Sequence, residues 1–132
     1  MTDAPPSARP CLLIIEDEQS LLRAFAHAFE RKGYEVLTAV DVPSAQAHWR
    51  ARTHGIACIV SDVQMPGPPL EVLIEEIRAH EPRVPILLMS GELRGSEDRI
   101  RGLMANVDGF LAKPLRLDML RSEIERLIGP RG

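Results

Sequence analysis

The sequence predicts an open, doubly wound α/β sandwich, in which five parallel strands are covered on both faces by five helices. Three observations carry this. Short uninterrupted apolar runs recur five times along the chain, the pattern of strands buried on both faces. Between them, apolar residues recur at intervals of three and four, the period of a helix laid on a sheet. Regular alternation of the two demands a parallel sheet with right-handed crossovers. At 132 residues the chain forms one domain, large enough to bury roughly two thirds of its unfolded surface.

Residues 1–10 hold three prolines and no periodicity, the composition of a mobile tail. Cys11-Leu12-Leu13-Ile14-Ile15 is the first strand, and it ends abruptly in Glu16, Asp17 and Glu18. A helix follows from Gln19, with Leu21, Leu22, Phe25 and Phe29 on one face and Gly33 as its stop, where a left-handed residue is needed. Residues 35–40 form a second strand. Asp41, Pro43 and Ser44 open a second helix to about Arg52, with a cap and an early proline. Its apolar face, Val42, Ala45 and Trp49, is thin, so this helix is expected to be the least firmly packed.

The third strand runs from Ala57 through Ile59 and Val60 to Asp62, with Met65-Pro66 beyond it. Leu70, Leu73, Ile74 and Ile77 mark the third helix, with Pro82 and Pro85 as its stop. Ile86-Leu87-Leu88-Met89 is the fourth strand and delivers Ser90-Gly91. Ser96 can cap the fourth helix, whose inner face is Ile100, Leu103, Met104 and Val107, with Glu97 and Asp98 in its first turn. Gly109-Phe110-Leu111-Ala112 is the fifth strand and delivers Lys113-Pro114. Leu117, Leu120, Ile124 and Leu127 form the inner face of the last helix.

A parallel sheet brings all its carboxyl ends to one edge, the edge at which open α/β sheets bind ligands. Glu16, Asp17, Asp62, Ser90 and Lys113 arrive there together. Crowded carboxylates repel, each pair by roughly 1–4 kcal/mol at 4 Å, and so call for a cation. Oxygen ligands without nearby His or Cys suit Mg²⁺, which binds through one or two carboxylates and substrate phosphate oxygens. A carboxylate nucleophile forming an aspartyl-phosphate needs a metal, a fixed cation and a hydroxyl on the transferring oxygens. Asp62, Lys113 and Ser90 have those chemistries.

Composition narrows the remaining classes. The net charge of −3 includes no basic block, so direct nucleic-acid binding is not expected. No apolar run approaches the length needed to span a membrane, and a cytoplasmic location is expected. Cys11 and Cys58 fall inside strand-like runs without metal-ligand spacing and are read as buried thiols. His27, His48, His54 and His80 lie on or beside helices and are read as solvated or packed.

From about Cys11 to Ile128 these motifs resemble the receiver domain of two-component response regulators. Leu13-Ile14-Ile15-Glu16-Asp17-Glu18 is similar to the family's acidic metal-binding motif, with Glu replacing the commoner first Asp. Asp62-Val63-Gln64-Met65-Pro66 resembles the phosphoacceptor motif. Met89-Ser90-Gly91 matches the hydroxyl and small residue. Phe110-Leu111-Ala112-Lys113-Pro114 matches the aromatic switch position, the lysine and a proline that follows a cis peptide.

The resemblance implies a flavodoxin-like sheet of order 2-1-3-4-5 and a receiver domain over residues 11–129, with no output domain in this chain. It implies that a sensor histidine kinase or a phosphotransfer protein donates a phosphoryl group to Asp62. Mg²⁺ would be held by Asp17, Asp62 and the backbone carbonyl of Gln64, with Glu16 acting directly or through water. Ser90 and Phe110 would switch the face of the fourth helix, fifth strand and fifth helix toward a downstream effector. Such a domain is a signalling element that catalyses only its own phosphorylation and slow dephosphorylation. Gln64 and Glu92 occupy positions that tune that loss, and a phosphorylation-dependent homodimer is left open.

One departure is local. Gly67-Pro68-Pro69-Leu70 runs one residue short of the usual loop and lacks its glycine before the third helix, which predicts a stiffer path beside Asp62. Two other readings stand against the switch. A receiver-like module that signals by binding alone is disfavoured by the presence of every motif residue. A Mg²⁺-dependent phosphohydrolase is disfavoured by Gln64, which stands where such enzymes commonly place a second acid.

Overall fold

The computed structural model describes residues 9–91 and 97–130. Its elements are β1 (Cys11–Ile15), α1 (Gln19–Arg31), β2 (Glu35–Ala39), α2 (Val42–Ala51), β3 (Cys58–Asp62), α3 (Leu70–Arg78), β4 (Ile86–Ser90), α4 (Glu97–Met104), β5 (Gly109–Ala112) and α5 (Leu117–Ile128). The strands pair in parallel in the order β2-β1-β3-β4-β5, the flavodoxin-like arrangement expected. The register aligns Ile15 with Ser61, Asp62 with Met89 and Ser90 with Ala112. The strand ends that carry the polar residues are therefore nearly flush.

Successive strand residues point to opposite faces, and the core divides accordingly. Leu13, Ile15, Ile59, Ile86 and Leu88 pack with Trp49 of α2, Leu73 and Ile77 of α3 and Leu103 of α4. Leu12, Ile14, Val60, Leu87 and Met89 pack with Phe25 and Phe29 of α1 and Leu120 and Ile124 of α5. Every residue of β1, β3 and β4 is buried. Cys11 and Cys58 are buried and unpaired by disulfide, and burial pushes the Cys58 thiol up to about 12.

Several local expectations are corrected. β2 stops at Ala39, and Val40 lies exposed beyond it. Val42, Ala45 and Trp49 of α2 are all buried, so the thin face is fully used; α4 has only Ile100 and Leu103 buried. Met104 and Leu117 are exposed rather than inward; Met104 is the last residue of α4 and Leu117 the first of α5, where a helix end makes the fewest packing contacts. α3 ends at Arg78, before the prolines, which occupy the connection to β4. Gly33 has the left-handed backbone predicted, with φ of 97°. In the short loop after Asp62, Gly67 has φ of 85° and Pro69 stands immediately before α3. The roles expected of Glu92 and Ser96, and of most of the N-terminal tail, lie outside the described residues.

A clamp fastens the edge opposite the carboxyl ends. Asp108 accepts hydrogen bonds from the Ile86 amide at 2.8 Å, Arg78 Nη2 at 2.7 Å and Arg83 Nη2 at 3.0 Å. Arg78 also donates to the Val84 and Asn106 carbonyls. Burial raises the Asp108 pKa, but the amide and the two guanidinium groups outweigh it, and the net shift is downward. Its stabilising contribution is therefore present above the ordinary carboxylate pKa and is lost as pH falls through the lower folded value. Asp108→Ala should cost about 2 kcal/mol at neutral pH. Urea unfolding should show that gap shrinking as pH falls below the ordinary carboxylate range.

Candidate functional site

The site is built from the ends of four strands, β1, β3, β4 and β5, and the residues that follow them. β1 runs directly into Glu16, whose amide still donates to the Ala39 carbonyl at 3.0 Å, so its side chain is fixed by the ladder. Glu16 is 1% exposed, whereas Asp17 is exposed. β3 ends at Asp62, which is 6% exposed. The β4–β5 pair is extended by the Lys113 amide, which donates to the Ser90 carbonyl at 2.7 Å, and the Lys113–Pro114 peptide is cis.

Lys113 bridges the two buried acids. Its Nζ donates to Glu16 Oε1 at 2.8 Å and to Asp62 Oδ2 at 2.7 Å. The other oxygens are also engaged: Glu16 Oε2 accepts from the Glu18 amide at 3.1 Å, and Asp62 Oδ1 accepts from the Gln64 amide at 3.0 Å. The Asp62 carboxylate is thus held from both sides. Gly91 lies against the lysine stem, where an added Cβ would come within 3.3 Å of Lys113 Cβ. The small residue keeps that stem in place.

The electrostatics follow from this geometry. Burial raises the Glu16 pKa, opposed by hydrogen bonds from Lys113 and the Glu18 amide and reinforced by the neighbouring Asp62 charge. Burial alone would lower the Lys113 pKa, but hydrogen bonds to Asp62 and Glu16 outweigh it and the net shift is upward. Glu16, Asp17 and Asp62 offer oxygens all within 4.8 Å of one another. Three carboxylates against one ammonium leave an excess of two negative charges when all are ionised. A hard divalent cation matches that charge and that all-oxygen donor set.

Ser90 is 1% exposed at the end of β4. Phe110 is half-buried, stands opposite Leu88 in the sheet, and packs on the face covered by α2, α3 and α4. Three histidines make contacts: His54 and His80 rings lie 4.7 Å apart, Trp49 meets His80 edge-on, and His48 Nε2 contacts the Thr38 carbonyl, while His27 is exposed. Sequence reasoning passed over Arg99. This α4 residue reaches Glu71 on α3 and the Val63 carbonyl beside Asp62. An arginine on an amphipathic helix gives no local signal of such a reach.

Comparison with known proteins agrees with the fold. Residues 12–125 match the family model of the response regulator receiver domain. The transcriptional regulatory protein PrrA of Mycobacterium tuberculosis is 31% identical over 123 residues, covering 93% of this chain and 52% of that protein. The chain thus spans about half the length of this curated relative. The chemotaxis response regulator CheY4 of Vibrio cholerae superposes with a TM-score of 0.75 at 27% identity, covering 91% of this chain and 99% of that one. A receiver domain protein from Clostridium thermocellum, at 24% identity, shares the fold with a TM-score of 0.80 over 90% of this chain and 94% of its own. The chain belongs to the response regulator receiver domain family, the signalling domain of two-component systems.

Proposed function

We propose that Asp62 accepts a phosphoryl group from a phosphohistidine in a Mg²⁺-dependent reaction and that the product changes the surface formed by α4, β5 and α5. The observation that carries this is the two-sided hold on Asp62, with Lys113 on Oδ2 and the Gln64 amide on Oδ1. A carboxylate oxygen attacks phosphorus while the bond from phosphorus to the imidazole nitrogen breaks, and the leaving imidazole takes up a proton. Glu16, Asp17, Asp62 and the Gln64 carbonyl would hold Mg²⁺, which supplies charge neutralisation on the transferring oxygens. Lys113 is already placed to turn from a carboxylate pair toward the incoming phosphoryl oxygens. Ser90 is the hydroxyl that would meet another of them.

The output surface has support of its own. Met104 is exposed, and it lines a shallow cavity with Val107, Asp108, Gly109 and the half-buried Phe110. Inward movement of Phe110 would alter that surface directly. The donor is a sensor histidine kinase or a phosphotransfer protein, and the reader is an effector protein or domain. A phosphorylation-dependent homodimer through the same face would be one such output. Among the described residues no helix is long and apolar enough to cross a membrane, and we place the domain in the cytoplasm, acting on proteins rather than on nucleic acid directly.

Incubation with acetyl phosphate tests this by intact-protein mass. The wild type should gain one phosphoryl group only when Mg²⁺ is present, and Asp62→Ala should gain none. A folded wild type that binds Mg²⁺ but takes no phosphoryl group from acetyl phosphate or from a phosphohistidine donor would overturn the reading.

A further inference from the structure

One peptide unit joins Asp62 to the fourth helix. The Gln64 amide donates to Asp62 Oδ1 at 3.0 Å, and the carbonyl of the same Val63–Gln64 peptide accepts from Arg99 Nη1 at 3.3 Å. A peptide is planar and rigid, so its two ends cannot be reoriented independently. The Val63 amide is anchored separately, to the Met89 carbonyl at 2.9 Å. Arg99 is itself held in a fixed orientation: its Nε and Nη2 meet Glu71 Oε2 and Oε1 at 2.9 and 3.1 Å, a two-pronged pair of the kind that fixes a guanidinium plane. The first turns of α3 and α4 are thereby connected to the acceptor carboxylate through a single plane.

Building on the reading of Asp62 as phosphoacceptor, we propose that Arg99 is a positioning residue: it holds the Val63–Gln64 peptide in the orientation that presents Asp62 for reaction, and it ties α4 to that peptide. The same peptide carries the Gln64 carbonyl's neighbour in the backbone, so its tilt also sets the loop proposed to hold the cation. Coupling of this kind is reciprocal. A change in what Asp62 Oδ1 offers the Gln64 amide rotates the peptide and weakens the Arg99 bond, which frees the first turn of α4. α4 has only two buried residues, Ile100 and Leu103, so little packing resists its movement. The Glu71–Arg99 pair restrains its first turn, and the Arg78 bond to the Asn106 carbonyl holds the residues just past its end.

Three variants of the full chain separate this from a merely structural ion pair: Arg99→Ala, Arg99→Lys, and the exchange Glu71→Arg with Arg99→Glu. Each is read by melting temperature, by hydrogen exchange of the Gln64 amide, and by the rate of phosphoryl gain from acetyl phosphate with Mg²⁺. Arg99→Ala should speed Gln64 exchange and slow phosphoryl gain, each by about fivefold to tenfold. Arg99→Lys, which keeps one donor for the carbonyl, should recover part of both. The exchange should restore the melting temperature but neither other readout, since a carboxylate at position 99 cannot donate to the Val63 carbonyl. Unchanged Gln64 exchange in Arg99→Ala, or full recovery in the exchanged pair, would overturn the proposal. Should the wild type take no phosphoryl group from acetyl phosphate or a phosphohistidine donor while Gln64 responds, the acceptor reading fails and only the hold of Arg99 on the Val63–Gln64 peptide stands. Should the wild type be phosphorylated while Gln64 is indifferent, the reverse holds.

Discussion

Lys113→Ala should lower the rate of phosphoryl gain by about 10²–10³, the loss typical of removing one preorganised donor from a developing anion. It should also destabilise the protein in chelator, because Glu16 would be left buried without its cation; removing one partner of a buried pair costs about 3 kcal/mol. Mg²⁺ should restore part of that stability, and it should bind more tightly than in the wild type, since no ammonium competes for Glu16 Oε1 and Asp62 Oδ2. Lys113→Arg should not rescue the rate. Its planar fork cannot occupy the point between two oxygens that each lie within 2.8 Å of Nζ. Rates near wild type in Lys113→Ala would show that the lysine serves the fold alone.

Asp62→Asn should remove most of the stabilisation conferred by Mg²⁺. At a tenfold excess over its dissociation constant the ion adds about 1.4 kcal/mol, which in a domain of this size raises the melting temperature by roughly 5 °C. The amide keeps one oxygen for Lys113, while its NH2 faces the Gln64 amide and that hydrogen bond is lost; it carries no charge, so one of the two excess negative charges disappears. In chelator the lost bond and the relieved repulsion oppose each other, and added Mg²⁺ should move the variant by less than half as much as the wild type. Thermal unfolding of both proteins across a Mg²⁺ titration measures this. Equal shifts in the two would place the cation elsewhere than among Glu16, Asp17 and Asp62.

The fold was legible because its signal repeats. Cys11–Ile15, Cys58–Asp62 and Ile86–Ser90 are apolar almost throughout and are buried at every residue, and each is followed by a segment of helical period. The polar cluster was legible for the same reason: Glu16, Asp62, Ser90 and Lys113 each follow an apolar run in a sheet whose strands all point one way. Periodicity says which residues share a helix face, but not whether anything lies beneath it. Met104 and Leu117 are in phase with buried neighbours and are nonetheless exposed, each at a helix end.

Long-range polar contacts were the part that could not be read. Lys113 meets Glu16 across 97 residues of sequence, and its place after the fifth strand showed which edge it reaches but not the bridge it makes. Asp108 is one acid before a short strand, yet it gathers Arg78, Arg83 and the Ile86 amide. Arg99 is the sharpest case. Its contacts depend on the relative placement of α3, α4 and the turn after β3, and no local pattern encodes that distance.

Borohydride reduction of the phosphorylated protein, followed by peptide mass mapping, locates the phosphoryl group proposed for Asp62, because an acyl phosphate is reduced to an alcohol and an unmodified carboxylate is not. Homoserine is expected at position 62, dependent on Mg²⁺ and abolished by chelator. Phosphorylated protein that gives no reduction product there, or a product at Glu16 or Asp17 instead, would rule out Asp62 as the acceptor.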